Sequence, residues 1–129
     1  MLRRGRADER EMQGLCRGIR RLLTAADHAD PTSLAAEPVA AGYVCGLVFA
    51  VAAQIGRTES YRQRLVRRGY VEIFGDACEA VDFLTLTPGL QSDASFINGY
   101  RTAVEDSSDV ACAEIAEARL GDWLASSGV

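Results

Sequence analysis

The chain has 129 residues, enough for one domain with a core that needs neither disulfides nor a structural metal; 48% are apolar and 25% charged. Its net charge of −4 disfavours nucleic acid as a partner of the chain as a whole, although local basicity can coexist with it. The charge is split: residues 1–68 hold twelve arginines against seven acids, a balance of +5, and residues 69–129 hold two against eleven, a balance of −9.

The N-terminus, MLRRGRADER, carries basic residues with no apolar run behind them, so it does not read as a signal peptide, and residues 1–7 are expected to form a mobile basic arm. From Asp8 the spacing predicts a helix, because Met12, Leu15, Cys16, Ile19, Leu22, Leu23 and Ala26 recur at three and four. Acids Asp8, Glu9 and Glu11 stand where they suit the helix dipole. Gly14 and Gly18 are four apart, which makes this helix a candidate close neighbour of whatever lies at the centre. Asp30 and Pro31 read as the N-cap and first residue of a short helical turn.

Residues 38–56, PVAAGYVCGLVFAVAAQIG, form the stretch around which the chain is organised. Val39 to Ala53 contain no charge and no amide side chain. A helix apolar on every side is buried. The stretch falls short of the roughly 20 apolar residues of a membrane span, and arginines flank it on both sides, so a core helix rather than a membrane segment is expected. Gly42, Gly46 and Ala50 share one face and offer a second backbone, or a second copy of the chain, a close approach.

After Thr58 an apolar stripe runs through Tyr61, Leu65, Val66, Gly69, Tyr70, Ile73, Phe74, Ala77, Val81 and Leu84, as one helix or as two broken at Gly69. Pro88-Gly89 marks a turn. Asp93 is placed to cap a helix carrying Phe96, Ile97, Tyr100, Ala103 and Val104. Ser107 and Ser108 are expected to break it and cap a last helix with the stripe Cys112, Ile115, Ala116, Arg119, Leu120, Trp123 and Leu124. With no strand pattern, the expectation is an all-α fold: a compact bundle of five or six helices around the buried central one, in a single domain.

The sharpest local pattern spans Val51 to Arg68. Ala52 stands four before Gly56, Val51 and Ile55 are apolar, Thr58 can open a second helix, and Leu65, nine after the glycine, can pack it back. The stretch resembles a helix-turn-helix unit, and AAQIGRTESY is similar to the segment of this kind in ParB-like partition proteins. The resemblance covers about 18 residues, the motif's usual extent. It implies that Arg57, Thr58 and Ser60 meet phosphates, with Arg62, Gln63, Arg64, Arg67 and Arg68 available for phosphates or groove edges of duplex DNA. Two positions depart from the pattern: Arg62 stands where an apolar residue should point inward, and the preceding helix shows no solvent face.

Catalytic patterns are sparse. His28 is the single histidine and lies in a polar connection, and no nucleophile motif surrounds any Ser or Cys. Glu72, Asp76, Glu79 and Asp82 share a helical face, without the Glu-x-x-His pairs of a helical metal site. No phosphate-cradling glycine loop is present. Cys16, Cys45, Cys78 and Cys112 are too widely spaced to ligate metal as pairs and read as free thiols of a reducing cytoplasm. The expectation is a small cytoplasmic adaptor or regulatory protein, not an enzyme, with no cofactor and no metal. It would bind another protein or a second copy of itself. The alternative is a helix-turn-helix DNA-binding regulator using residues 57–68.

Overall fold

The computed structural model describes residues 7–75 and 89–127, with side chains for 7–75 and 89–125. Over the described residues it is all-α, a bundle of six helices: α1 (Glu9–Ala25), α2 (Pro31–Ala35), α3 (Pro38–Ile55), α4 (Glu59–Phe74), α5 (Ala94–Asp106) and α6 (Cys112–Ser127), with a 3₁₀ turn at Leu90–Ser92. No strand occurs among the described residues. The starts follow local chemistry. Asp8, Asp30, Thr58 and Asp93 each accept a backbone N–H of the first turn through their side chains, and Pro31 and Pro38 occupy first helical positions where a missing N–H costs nothing.

α3 is the centre. Residues 40–48 are buried without a break, enclosed by contacts with every other helix. By length and composition α3 could cross a membrane; in this fold most of it is covered by protein. Its main partner is α5, and glycines make that contact. A Cβ on Gly42 would fall on the carbonyl oxygen of Phe96, and one on Gly46 would lie 2.7 Å from the Tyr100 oxygen. From the other side, a Cβ on Gly99 would fall on the Val39 carbonyl oxygen. The close neighbour is therefore α5 and not α1: around Gly14 there is open space, and Gly18 has only the Arg21 guanidinium nearby.

Other expectations change in detail. Helix α4 runs through Gly69 and stops at Gly75, whose φ of 66° and ψ of −151° suit only a residue without a side chain. The continuation of its stripe, from Ala77 to Leu84, lies outside the described residues, as do residues 1–6 of the basic arm. Ala7, the arm's last residue, is buried, and its N–H donates to Gln54 Oε1 at 3.3 Å. Ser107 and Ser108 close α5 rather than open α6: their hydroxyls donate to the carbonyls of Val104 and Glu105. Asp109 turns the chain into α6 instead, accepting the Ala111 N–H and offering its carbonyl to the Cys112 N–H. α5 buries Phe96, Gly99, Ala103 and Asp106, leaving Ile97 and Val104 43% and 45% exposed, because close packing on α3 selects the glycine face over the most apolar one.

The end of α1 is a Schellman turn. Asp27 takes the left-handed position at φ 61°, its N–H donates to the Thr24 carbonyl, and the His28 N–H donates to that of Leu23. Aspartate tolerates this conformation less well than glycine. Asp27→Gly is expected to raise stability by roughly 0.5–1 kcal/mol, read as a higher urea midpoint at unchanged slope.

Candidate binding surface

α4 displays its arginines because its apolar residues fix its rotation. Leu65, Val66, Gly69, Tyr70, Ile73 and Phe74 face the core, which turns Ser60, Gln63, Arg64 and Arg67 to solvent, at three and four spacing. Arg57 is exposed in the link before it. Thr58 is the N-cap, its Oγ1 accepting the Tyr61 N–H at 3.2 Å.

The remaining arginines of the segment are engaged. Arg62 is half-buried and folds back so that its Nη1 donates to the Gly56 carbonyl at 3.2 Å, closing the C-terminus of α3. A basic residue thus fills the inward position of the helix-turn-helix pattern by tying down the turn, with its stem lying along Gly56. Gly56 itself is extended, at φ −82°. Arg68 pairs with Glu9 at 3.2 Å, and the Tyr61 hydroxyl donates to the same carboxylate oxygen at 2.7 Å. The Tyr61 hydrogen bond, helped by Arg68, holds the Glu9 carboxyl below its usual range, and the same bond raises the Tyr61 phenol. Arg64 lies over the Tyr61 ring, 5.7 Å from its centre.

α1 runs alongside α4 in the same direction, since Glu9 meets Tyr61 and Arg68 while Arg17 meets Glu72 at 2.7 Å. Between them lies a groove of ≈ 570 Å³. Met12, Cys16, Leu65 and Gly69 form its base, and Arg10, Gln13 and Arg67 stand on its rim. Burial pushes the Cys16 thiol up to about 12, so it stays protonated and behaves as a small apolar group. Arg10 also borders the surface beside Arg57, which joins the groove to the N-terminal end of α4. Among the described residues Arg10, Arg57 and Arg67 have no acidic partner.

Of the carboxylate face read from the sequence, Glu72 is the member described, and it is paired with Arg17; Asp76, Glu79 and Asp82 lie outside the described residues, as does Cys78. Cys16, Cys45 and Cys112 are buried thiols. His28 Nδ1 lies 2.8 Å from Ser33 Oγ, whose hydroxyl donates to the Asp27 carbonyl at 3.3 Å. That proton is aimed at the carbonyl, and the arrangement locks α2 onto the end of α1.

One cluster carries no sequence motif. The Tyr43 hydroxyl donates to Asp106 Oδ2 at 2.7 Å, and Arg119 reaches both oxygens of that carboxylate from α6. Burial foremost, and the Asp106 hydrogen bond after it, raise the Tyr43 phenol well above its ordinary range. A single charge inside the apolar stripe of α6 was the available signal for this site. Comparison of the chain with protein-family models, with curated proteins and with solved structures found no match.

Proposed function

We propose that the chain is a small helical adaptor or regulatory protein, working by binding in the reducing cytoplasm, and that it works through the arginine face of α1 and α4. The observation that carries this reading is the set Arg10, Arg57 and Arg67: each is exposed, and none has an acidic partner among the described residues. Neighbouring Arg17, Arg62 and Arg68 are held by Glu72, the Gly56 carbonyl and Glu9. Like charges gathered this way repel one another and favour an anionic partner. A homodimer through the glycine row of α3 is not part of the reading, because α5 occupies that row.

Duplex DNA is the second reading. Ser60, Gln63, Arg64 and Arg67 share one exposed face behind a threonine N-cap, the register in which a recognition helix offers side chains to a groove. The test is fluorescence anisotropy of labelled duplex DNA at low and physiological salt. If DNA is the partner, affinity falls steeply with salt, and Arg64→Ala with Arg67→Ala flattens the dependence by about one to two charges. No binding at low salt removes DNA and leaves the protein-binding reading, whose own mark is a partner released when the same arginines are replaced.

A further inference from the structure

We infer that the groove between α1 and α4 is the docking site for a short, acidic amphipathic helix of a partner protein. The inference rests on the reading that the arginine face is the working surface, and it names the class of partner.

The groove follows α1 from Glu9 to Cys16, about 10 Å at roughly 1.5 Å per residue, which is room for roughly two turns of a docked helix. It is concave and lined on its inner side by apolar groups. Met12 lies at the base above Cys16 and Leu65, and Val71 and the stems of Arg10 and Arg67 form the walls. Gly69 lets α4 settle onto Met12 and Cys16; a Cβ there would lie 3.1 Å from the Met12 methyl. Methionine adapts its shape to what it meets, which suits a base that must accept an inserted side chain.

Charge selects the sign of the partner. The two acids on the rim are already neutralised, Glu9 by Arg68 and Glu72 by Arg17. What remains on the rim is Arg10 and Arg67, one on each side, without acidic partners among the described residues. A helix with apolar residues at three and four spacing and carboxylates flanking them meets both demands, apolar base and cationic rim. Duplex DNA has no apolar side chain to place in the groove, and its phosphates would be served better by the outward face of Arg57, Ser60 and Arg64.

The test uses the full chain and three probes in fluorescence anisotropy: a labelled helical peptide with leucines at three and four spacing and glutamates elsewhere, an isomer of the same composition with the leucines scattered, and duplex DNA. The patterned peptide is expected to bind about tenfold or more tighter than its isomer. Arg10→Gln with Arg67→Gln should weaken it by about tenfold. Gln13→Trp, which lays a ring across the groove and leaves every arginine in place, should weaken it comparably, while Arg101→Gln, an exposed arginine of α5 that does not line the groove, should change it little. All three variants alter exposed side chains, and circular dichroism checks that they are folded. Equal binding of the two isomers, or peptide binding indifferent to Gln13→Trp, overturns the inference. If the peptide fails and duplex DNA binds through Arg57 and Arg64, the groove proposal falls while the arginine face stands. If neither peptide nor DNA binds, both fall.

Discussion

Gly42→Ala will cost the fold about 3 kcal/mol or more, whereas the same change at Gly14 will stabilise it by roughly 0.5–1 kcal/mol. At Gly42 the new methyl would fall on the Phe96 carbonyl oxygen, with Phe96 backbone carbons at 2.8 and 2.9 Å. These are backbone atoms of a second helix, so no rotamer change relieves the clash and α3 and α5 must move apart. That separation would disturb the most extensive helix contact among the described residues, along which Gly46 and Gly99 are also closely packed. Inserting a methylene into a close-packed core ordinarily costs about 1–3 kcal/mol, and rigid neighbours put this case at or above the upper end. At Gly14 nothing lies within 4 Å and the residue faces solvent, so alanine simply adds helix propensity. Urea denaturation followed by circular dichroism separates the two. A Gly42→Ala variant as stable as the parent would mean that α5 does not lie on this glycine row. Against a total of about 5–15 kcal/mol, the expected loss is readily measured.

The same glycines mark the boundary of what was legible in the sequence. The apolar run 39–53 announced a buried helix, and the row Gly42, Gly46 announced a close neighbour, because both follow from composition and spacing within one segment. The identity of the neighbour did not. Gly14 and Gly18 display the same four-residue spacing as Gly42 and Gly46, yet no second helix lies against them, while the partner glycine, Gly99, stands alone in its helix. Which helix meets which is a property of the whole packing. Local capping was legible at Asp30, Thr58 and Asp93 because an N-cap is decided within one turn, whereas Asp8, read as a first-turn acid, is itself the N-cap of α1. It failed at Ser107 and Ser108, whose hydroxyls found the carbonyls behind them. On the arginine face, exposure of Arg64 and Arg67 followed from the stripe Leu65, Val66, Tyr70. The engagement of Arg62 with Gly56 and of Arg68 with Glu9 did not, since the first depends on the turn and the second on a helix 59 residues away in sequence.

Breaking the buried carboxylate knot will be the other large effect. Arg119→Met keeps an unbranched apolar stem but leaves Asp106, whose side chain is 8% exposed, with the Tyr43 hydroxyl as the remaining side-chain donor shown at that carboxylate. Removing one partner from a fully buried pair costs about 3–5 kcal/mol, because the stranded charge keeps its desolvation penalty and loses its compensation; with Arg119 42% exposed, water can reach the stranded carboxylate and the loss lies at the lower end, about 3 kcal/mol. Asp106→Ala errs in the other direction. It leaves the fully buried Tyr43 hydroxyl without that acceptor, at about 1–3 kcal/mol, while Arg119, 42% exposed, can turn its guanidinium to water. Arg119→Met is therefore expected to be the more damaging of the two, and Asp106→Asn, which retains an acceptor for Tyr43, the mildest. Combining Asp106→Ala with Tyr43→Phe should cost less than the sum of the two alone by about 0.5 kcal/mol or more, since the phenylalanine removes the group that the alanine strands. The knot ties α3, α5 and α6 together through residues that do not line the α1–α4 groove. These variants should therefore lower the melting temperature and leave peptide or DNA binding unchanged at temperatures where they are folded. Equal stability of Arg119→Met and the parent would show that the ion pair is dispensable and that the contact of Tyr43 with Trp123, ring centres 5.0 Å apart, holds α6 in place without it.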